Sequence, residues 1–150
     1  MKTIPLTQNK HAIVDDEDFG WLINYSWCYS GNGYSQGTVS GKRISMHRLI
    51  MGAPKGKVID HINYDTLDNR RSNLRICTYS QNIVNSRPRS ASGYKGVDFF
   101  KKLKKWRAKL KVDGATKHIG YFNSKEEAAK AYNEFAEKHY KDYAYLNEID

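Results

Sequence analysis

The stretch VIDHINYDTLDNRRSNLRICTYSQN runs from Val58 to Asn82 and places an Asp-His pair ahead of four asparagines and three arginines. Val58-Ile59 and Leu74–Thr78 have the apolar, β-branched character of short strands. Between them lies INYDTLDNRRSN, which is rich in turn formers. Thr78-x-x-Gln81 is a capping pattern that can open a short helix carrying Asn82. The order is strand, loop, strand, helix: a ββα unit of about 30 residues, too small to be stable without neighbours, metal or both. Asp60 and His61 are adjacent, so on an extended strand their side chains point to opposite sides. One can hold a metal while the other faces a water. Taken singly, Asn69, Asn73 and Asn82 read equally well as turn and cap residues.

Hydrolysis of a phosphodiester is the chemistry such a set can perform. It needs an activated water, charge stabilisation on the phosphorane and help for the leaving 3′ oxygen. A histidine of suitable pKa supplies the first, and a divalent metal supplies the others as a Lewis acid. The chain of 150 residues has only two cysteines, Cys28 and Cys77. A four-cysteine zinc site is therefore excluded, and any metal must be held mainly by oxygen and imidazole. The two thiols are expected to be reduced in an intracellular setting.

Bulk properties point the same way. Twenty-five Lys and Arg against 16 Asp and Glu give a formal charge of +9, the balance of a polyanion binder. No apolar run approaches the roughly 20 residues needed to cross a bilayer. The start, MKTIPLTQNK, lacks the apolar core of a secretion signal. A cytoplasmic protein without membrane contact is expected. The basic excess is unevenly spread: residues 1–46 are balanced, and 47–89 and 90–150 carry net +5 and +4.

Residues 1–46 predict a small α+β region. Strands are expected around Ile4–Leu6 and His11–Val14, then a helix opened by the acidic run Asp15–Asp18, where carboxylates oppose the positive helix end. Trp21, Leu22, Tyr25 and Trp27 are its candidate core, and the Gly, Asn and Ser clusters that follow read as hairpin turns. Residues 47–87 are the ββα unit, and 88–92, around Pro88 in SRPRSAS, a linker. Residues 93–147 predict a three-stranded antiparallel sheet packed on one helix. KWRAKLKV puts Trp106, Ala108, Leu110 and Val112 on one face and Lys105, Arg107, Lys109 and Lys111 on the other. Asp113-Gly114 marks a hairpin turn. Ser124-x-x-Glu127 is a capping box opening a helix whose stripe is Ala128, Ala131, Tyr132, Phe135 and Ala136. With nine Lys or Arg and two acids between Gly93 and Phe122, the uncovered face is a candidate for nucleic acid.

Two resemblances add to this reading. GYKGV, KWRAKL, HIGYF, SKEEAAKAYNEFA and YLN together look like the plant ethylene-response-factor (Apetala-two type) DNA-binding domain. There the sheet enters the major groove and the helix packs behind it. Asp98 stands where those proteins usually have Arg, and Lys109 where they have Glu, so base preference does not carry over. MHRLI, the Gly52-x-Pro54-x-Gly56 turn, V-x-DHIN, LDNRRSNLR and the Gln81-Asn82 pair resemble the HNH endonucleases. With IPL, VDDEDF and Trp21 upstream, the chain is similar to free-standing or intron-encoded phage homing endonucleases. The likeness implies a His-Me finger in which His61 is the general base, Asp60 and Asn82 bind metal, and Asn73 orients His61. Asn82, a hard oxygen ligand in place of the family's last His, favours Mg²⁺ or Mn²⁺ over zinc.

Arg70, Arg71 and Arg75 are expected to grip the backbone near the cut, and His47 is expected to be structural or to face DNA. The expected protein is thus a site-specific homing-type endonuclease acting on double-stranded DNA as a monomer. The alternatives are a non-catalytic DNA-binding protein with a degenerate nuclease unit, and an RNA-binding or structural protein.

Overall fold

The computed structural model describes residues 1–149. β1 (Lys2–Pro5) and β2 (His11–Val14) form an antiparallel hairpin with Lys2 opposite Val14. α1 (Asp16–Leu22) follows with three acids in its first turn. β3 (Trp27–Tyr29), β4 (Ser35–Val39) and β5 (Lys42–Ser45) make an antiparallel sheet in that order. Its second turn, Ser40-Gly41, has φ of 49° and 74°, the left-handed pair that a two-residue hairpin requires. α2 (Met46–Met51) ends on Gly52 at φ 55°, a left-handed cap that glycine adopts without steric cost. β6 (Val58–His61) and β7 (Leu74–Cys77) pair antiparallel, with Asp60 opposite Arg75 and His61 opposite Leu74.

These elements belong to one compact unit, Met1–Thr78. Ile4, Val14, Leu22, Trp27, Met46, Ile59 and Leu74 are buried in a single core. The division expected at residues 46 and 47 therefore runs through shared apolar packing. Neither the N-terminal hairpins nor the β6–β7 pair has enough surface to bury a core by itself. Tyr25, expected inside, is 37% exposed.

The second unit is Tyr79–Asp150. It begins with α3 (Tyr79–Asn85), whose Val84 is buried in the second core. The Lys95 ammonium donates to the carbonyls of Ile83 and Val84 at 2.9 and 2.6 Å, closing the end of that helix. The segment expected as a linker is tied down: the Ser92 hydroxyl donates to Val97 O at 2.7 Å and Ser90 to Tyr94 O at 2.6 Å. β8 (Val97–Phe100), β9 (Lys105–Val112) and β10 (Ala115–Phe122) form the expected sheet, with β9 central. α4 (Lys125–Tyr140) lays Ala128, Ala129, Tyr132 and Ala136 on Val97, Ala108 and Leu110. Ser124 Oγ accepts from Glu127 N at 3.1 Å, and the Glu127 carboxylate reaches back to Asn123 N. Buried Asn147 clamps the tail, accepting from Lys95 N at 2.6 Å and donating to Lys95 O at 3.1 Å.

Candidate active site

The loop between β6 and β7 is stitched into place by its own Asn and Asp side chains. Asp65 N bonds Asn63 Oδ1 and Leu67 N bonds Asp65 Oδ1, both at 2.9 Å. These local bonds are what make such residues turn formers. The loop then crosses β2, where Ile13 N donates to Leu67 O and Asn69 N to Ile13 O, each at 2.8 Å. Asn73 holds the two ends together. Its Oδ1 accepts from Asn63 N at 2.9 Å and its Nδ2 donates to Asp68 O at 2.8 Å.

This path carries Asn69 to the His61 ring. Asn69 is completely buried, and its Oδ1 lies 3.3 Å from His61 Nε2. The amide has no freedom to turn over, because Nδ2 donates to Ser35 Oγ at 3.2 Å and Leu67 O at 3.1 Å. Oδ1 can only accept, so Nε2 carries the ring proton and Nδ1 keeps the basic lone pair. Orientation of His61, expected from Asn73, is thus delivered by Asn69, while Asn73 shapes the loop. No local pattern marks Asn69, since its position depends on the distant Ile13 and Ser35.

Burial lowers the His61 pKa below its ordinary value, and the Asn69 hydrogen bond with the carboxylates of Asp60, Asp65 and Asp68 opposes that. The ring is therefore neutral at neutral pH, yet its environment supports the cation that forms when it takes a proton. His47, in the first turn of α2, is buried with its ring centroid 5.2 Å from that of His61 and 5.2 Å from that of Tyr34. Its Nδ1 has no hydrogen-bond partner among the described residues. Desolvation first, then the charge of His61 and of Arg48, pushes its pKa down to about 4. His47 is a neutral packing partner of His61, not an exposed contact for DNA.

Arg70, Arg71 and Arg75 each meet a buried carboxylate. Arg70 forks onto Asp68 at 2.7 and 2.6 Å. Arg71 forks onto Asp18 at 2.8 and 2.7 Å, and its backbone N–H donates to Asp15 Oδ2. The acidic run of α1 therefore anchors the active loop as well as opening a helix. Arg75 Nε and Nη2 both lie 2.8 Å from Asp60 Oδ2. A buried carboxylate costs several kcal/mol unless paired, which is why these arginines turn inward.

Asp60 offers a hard carboxylate oxygen beside His61, and Arg75 now balances its charge. Mg²⁺ needs only one or two protein oxygens, the rest being water, so the residues present fit such an ion. In the second unit, Asn82 is half-buried on α3, lining a hollow with Arg87, Arg89 and Lys95. On the open face of the sheet, Lys105 and Lys111 are exposed, and Arg107 and Lys109 are half-buried and paired with Asp98.

A family model described as HNH endonuclease matches residues 46–84. An uncharacterized HNH endonuclease of Acanthamoeba polyphaga mimivirus is 32% identical over 147 residues, covering 93% of this chain and 75% of the relative. No solved structure matches. The chain belongs to the HNH endonuclease family. No described helix is long and apolar enough to cross a membrane.

Proposed function

We propose that the protein is a homing-type, site-specific DNA endonuclease in which His61 is the general base. The observation that carries this is the locked imidazole: His61 beside Asp60, neutral, with its proton held on the nitrogen facing Asn69. His61 Nδ1 takes the proton from water as the oxygen attacks phosphorus and the bond to O3′ breaks. The products are a 5′-phosphate and a 3′-hydroxyl. Asp60 would hold Mg²⁺ or Mn²⁺, which would supply Lewis-acid stabilisation of the phosphorane and leaving oxygen. Asn69 keeps the ring turned, Asn73 keeps the loop shaped around it, and the charges of Asp60, Asp65 and Asp68 favour the imidazolium.

Residues 93–147 act as the DNA-reading module in the manner of an Apetala-two type domain, with the sheet in the major groove. Lys105 and Lys111 contact phosphate there. One active site per chain means that a monomer nicks one strand.

The test is nicking of supercoiled plasmid or phage DNA with Mg²⁺, Mn²⁺ or EDTA, for the wild type and His61→Ala. Loss of the base should cost roughly 10² to 10⁴ in rate. Nicking that survives the substitution, or no nicking on any DNA with Mn²⁺ present, would remove the catalytic assignment.

A further inference from the structure

An acid sits in the middle of the basic face of the β8–β9–β10 sheet. Asp98 on β8 is directly opposite Arg107 on β9. Both its oxygens are used: Arg107 Nε donates to Oδ1 at 2.9 Å, Arg107 Nη2 to Oδ2 at 2.8 Å, and Lys109 Nζ to Oδ2 at 2.6 Å. The Arg107 hydrogen bond, followed by those of Lys109, lowers the Asp98 pKa to about 2, so this acid is ionised at any working pH. A negative charge on a phosphate-facing surface weakens general attraction to DNA. Its presence calls for something that a bare row of lysines could not provide.

What it provides is a fixed guanidinium. Arg107 is engaged along its side, through Nε and Nη2, and its Cζ lies 4.9 Å from the centroid of the Phe100 ring. Tyr121, opposite it on β10, also hydrogen-bonds the Arg107 side chain. Side-on pairing commits Nε–H and one Nη2 hydrogen. The second Nη2 hydrogen and one on Nη1 belong to the far end of the planar group, the end-on pair that can act as a parallel fork. A fork of that kind matches one base edge in the major groove, O6 and N7 of guanine. An unheld arginine would lose rotamer freedom to present it. Lys109, a compact point charge sharing the same carboxylate, has no comparable direction.

Resting on the reading of this sheet as a major-groove module, we infer that Arg107 reads a guanine and that Asp98 is the buttress that aims it. Lys105 and Lys111, which have exposed side chains on the same strand, contribute attraction without base preference.

The experiment selects binding sites for the full-length protein from a random duplex pool in EDTA, so that no strand is cut. Wild type, Arg107→Ala, Asp98→Asn and Lys111→Ala are compared, with a thermal melt of each as a check on folding. The wild type should enrich guanine at one position. R107A should lose roughly 5- to 150-fold of discrimination there and keep its other preferences. D98N should bind all DNA more tightly while losing much of the same guanine preference. K111A should weaken binding uniformly and reduce the salt slope by about 0.9. Unchanged preferences in R107A would overturn the inference, as would a D98N protein with tighter binding and intact preference, since Asp98 would then only trim charge. If K111A and R107A both leave affinity unaltered, the sheet does not meet DNA, and the reading beneath the inference fails with it.

Discussion

Acidification should loosen the first unit through a single side chain, His47. The imidazole is buried, without a hydrogen-bond partner at Nδ1 among the described residues, and faces His61 and Tyr34. Its pKa falls from the ordinary 6.5 to about 4 on folding. Between those values the unfolded chain binds the proton and the folded one does not, so stability falls as pH falls. Above pH 6.5 His47 contributes nothing to this slope. Below pH 4 the loss is complete, and 2.5 pKa units amount to about 3 kcal/mol. By pH 5 about 2 kcal/mol of that is gone. His61 shares the direction of shift, but its charge is supported by Asn69 and three carboxylates. It protonates first and then repels a proton on His47. The assay is urea unfolding at pH 8 and pH 5 in EDTA, followed by tryptophan fluorescence. A Trp106→Phe background leaves Trp21 and Trp27 to report the first unit alone. In His47→Phe, which removes the unpartnered nitrogen and fills the same space, the loss between the two pH values should shrink by about 2 kcal/mol. Parallel losses in the two proteins would refute the reasoning.

Three further outcomes follow from single contacts. Arg71→Ala strands buried Asp18, leaving it the Trp21 indole at 3.2 Å, and should cost about 1–3 kcal/mol by urea unfolding in the same background; a change within error would mean solvent replaces the arginine. Gly96→Ala places a Cβ 2.2 Å from the Tyr132 ring and 2.6 Å from Lys109 O at φ +72°, so strain and overpacking should remove about 3 kcal/mol from the second unit, read by Trp106 fluorescence. Ser124→Ala removes the cap on Glu127 N and should cost about 1 kcal/mol, with Ser124→Asp restoring it.

Elements with a local cause were legible in the sequence. The alternation of KWRAKLKV, the Asp113-Gly114 turn and the Ser124 capping box each specify structure within a few residues, and β9, its turn and α4 appear where they predict. The Asp60-His61 pair was legible for the same reason, as adjacent residues at a strand end. What the sequence hid depends on long-range contacts. Asn69 reaches His61 because residues 67–69 bond Ile13, more than fifty positions earlier. Arg71 stays partly exposed but has its guanidinium tied to Asp18, which is buried beneath it. In a basic chain an arginine reads as a phosphate contact until the position of its carboxylate is known, and that position is set by the fold.

On the proposed function, the pairing of these arginines with buried carboxylates separates binding from chemistry. The first unit has ten Lys and Arg against seven acids, and the second has fifteen against nine. Three of the ten are committed to Asp68, Asp18 and Asp60, and the first unit's net charge is half that of the second. Long-range attraction to a polyanion must then come mainly from the second unit, whose Lys105, Lys111 and Lys117 are exposed on the sheet. Electrostatic steering acts on encounter and is screened by salt, whereas the proton transfer proposed for His61 would involve a buried side chain. Substitutions on the sheet should therefore raise KM and flatten its salt dependence with kcat nearly intact. Substitution of His61 or Asn69 should lower kcat at every ionic strength. A sheet variant that lowered kcat without altering salt dependence would show that the two tasks are not divided in this way.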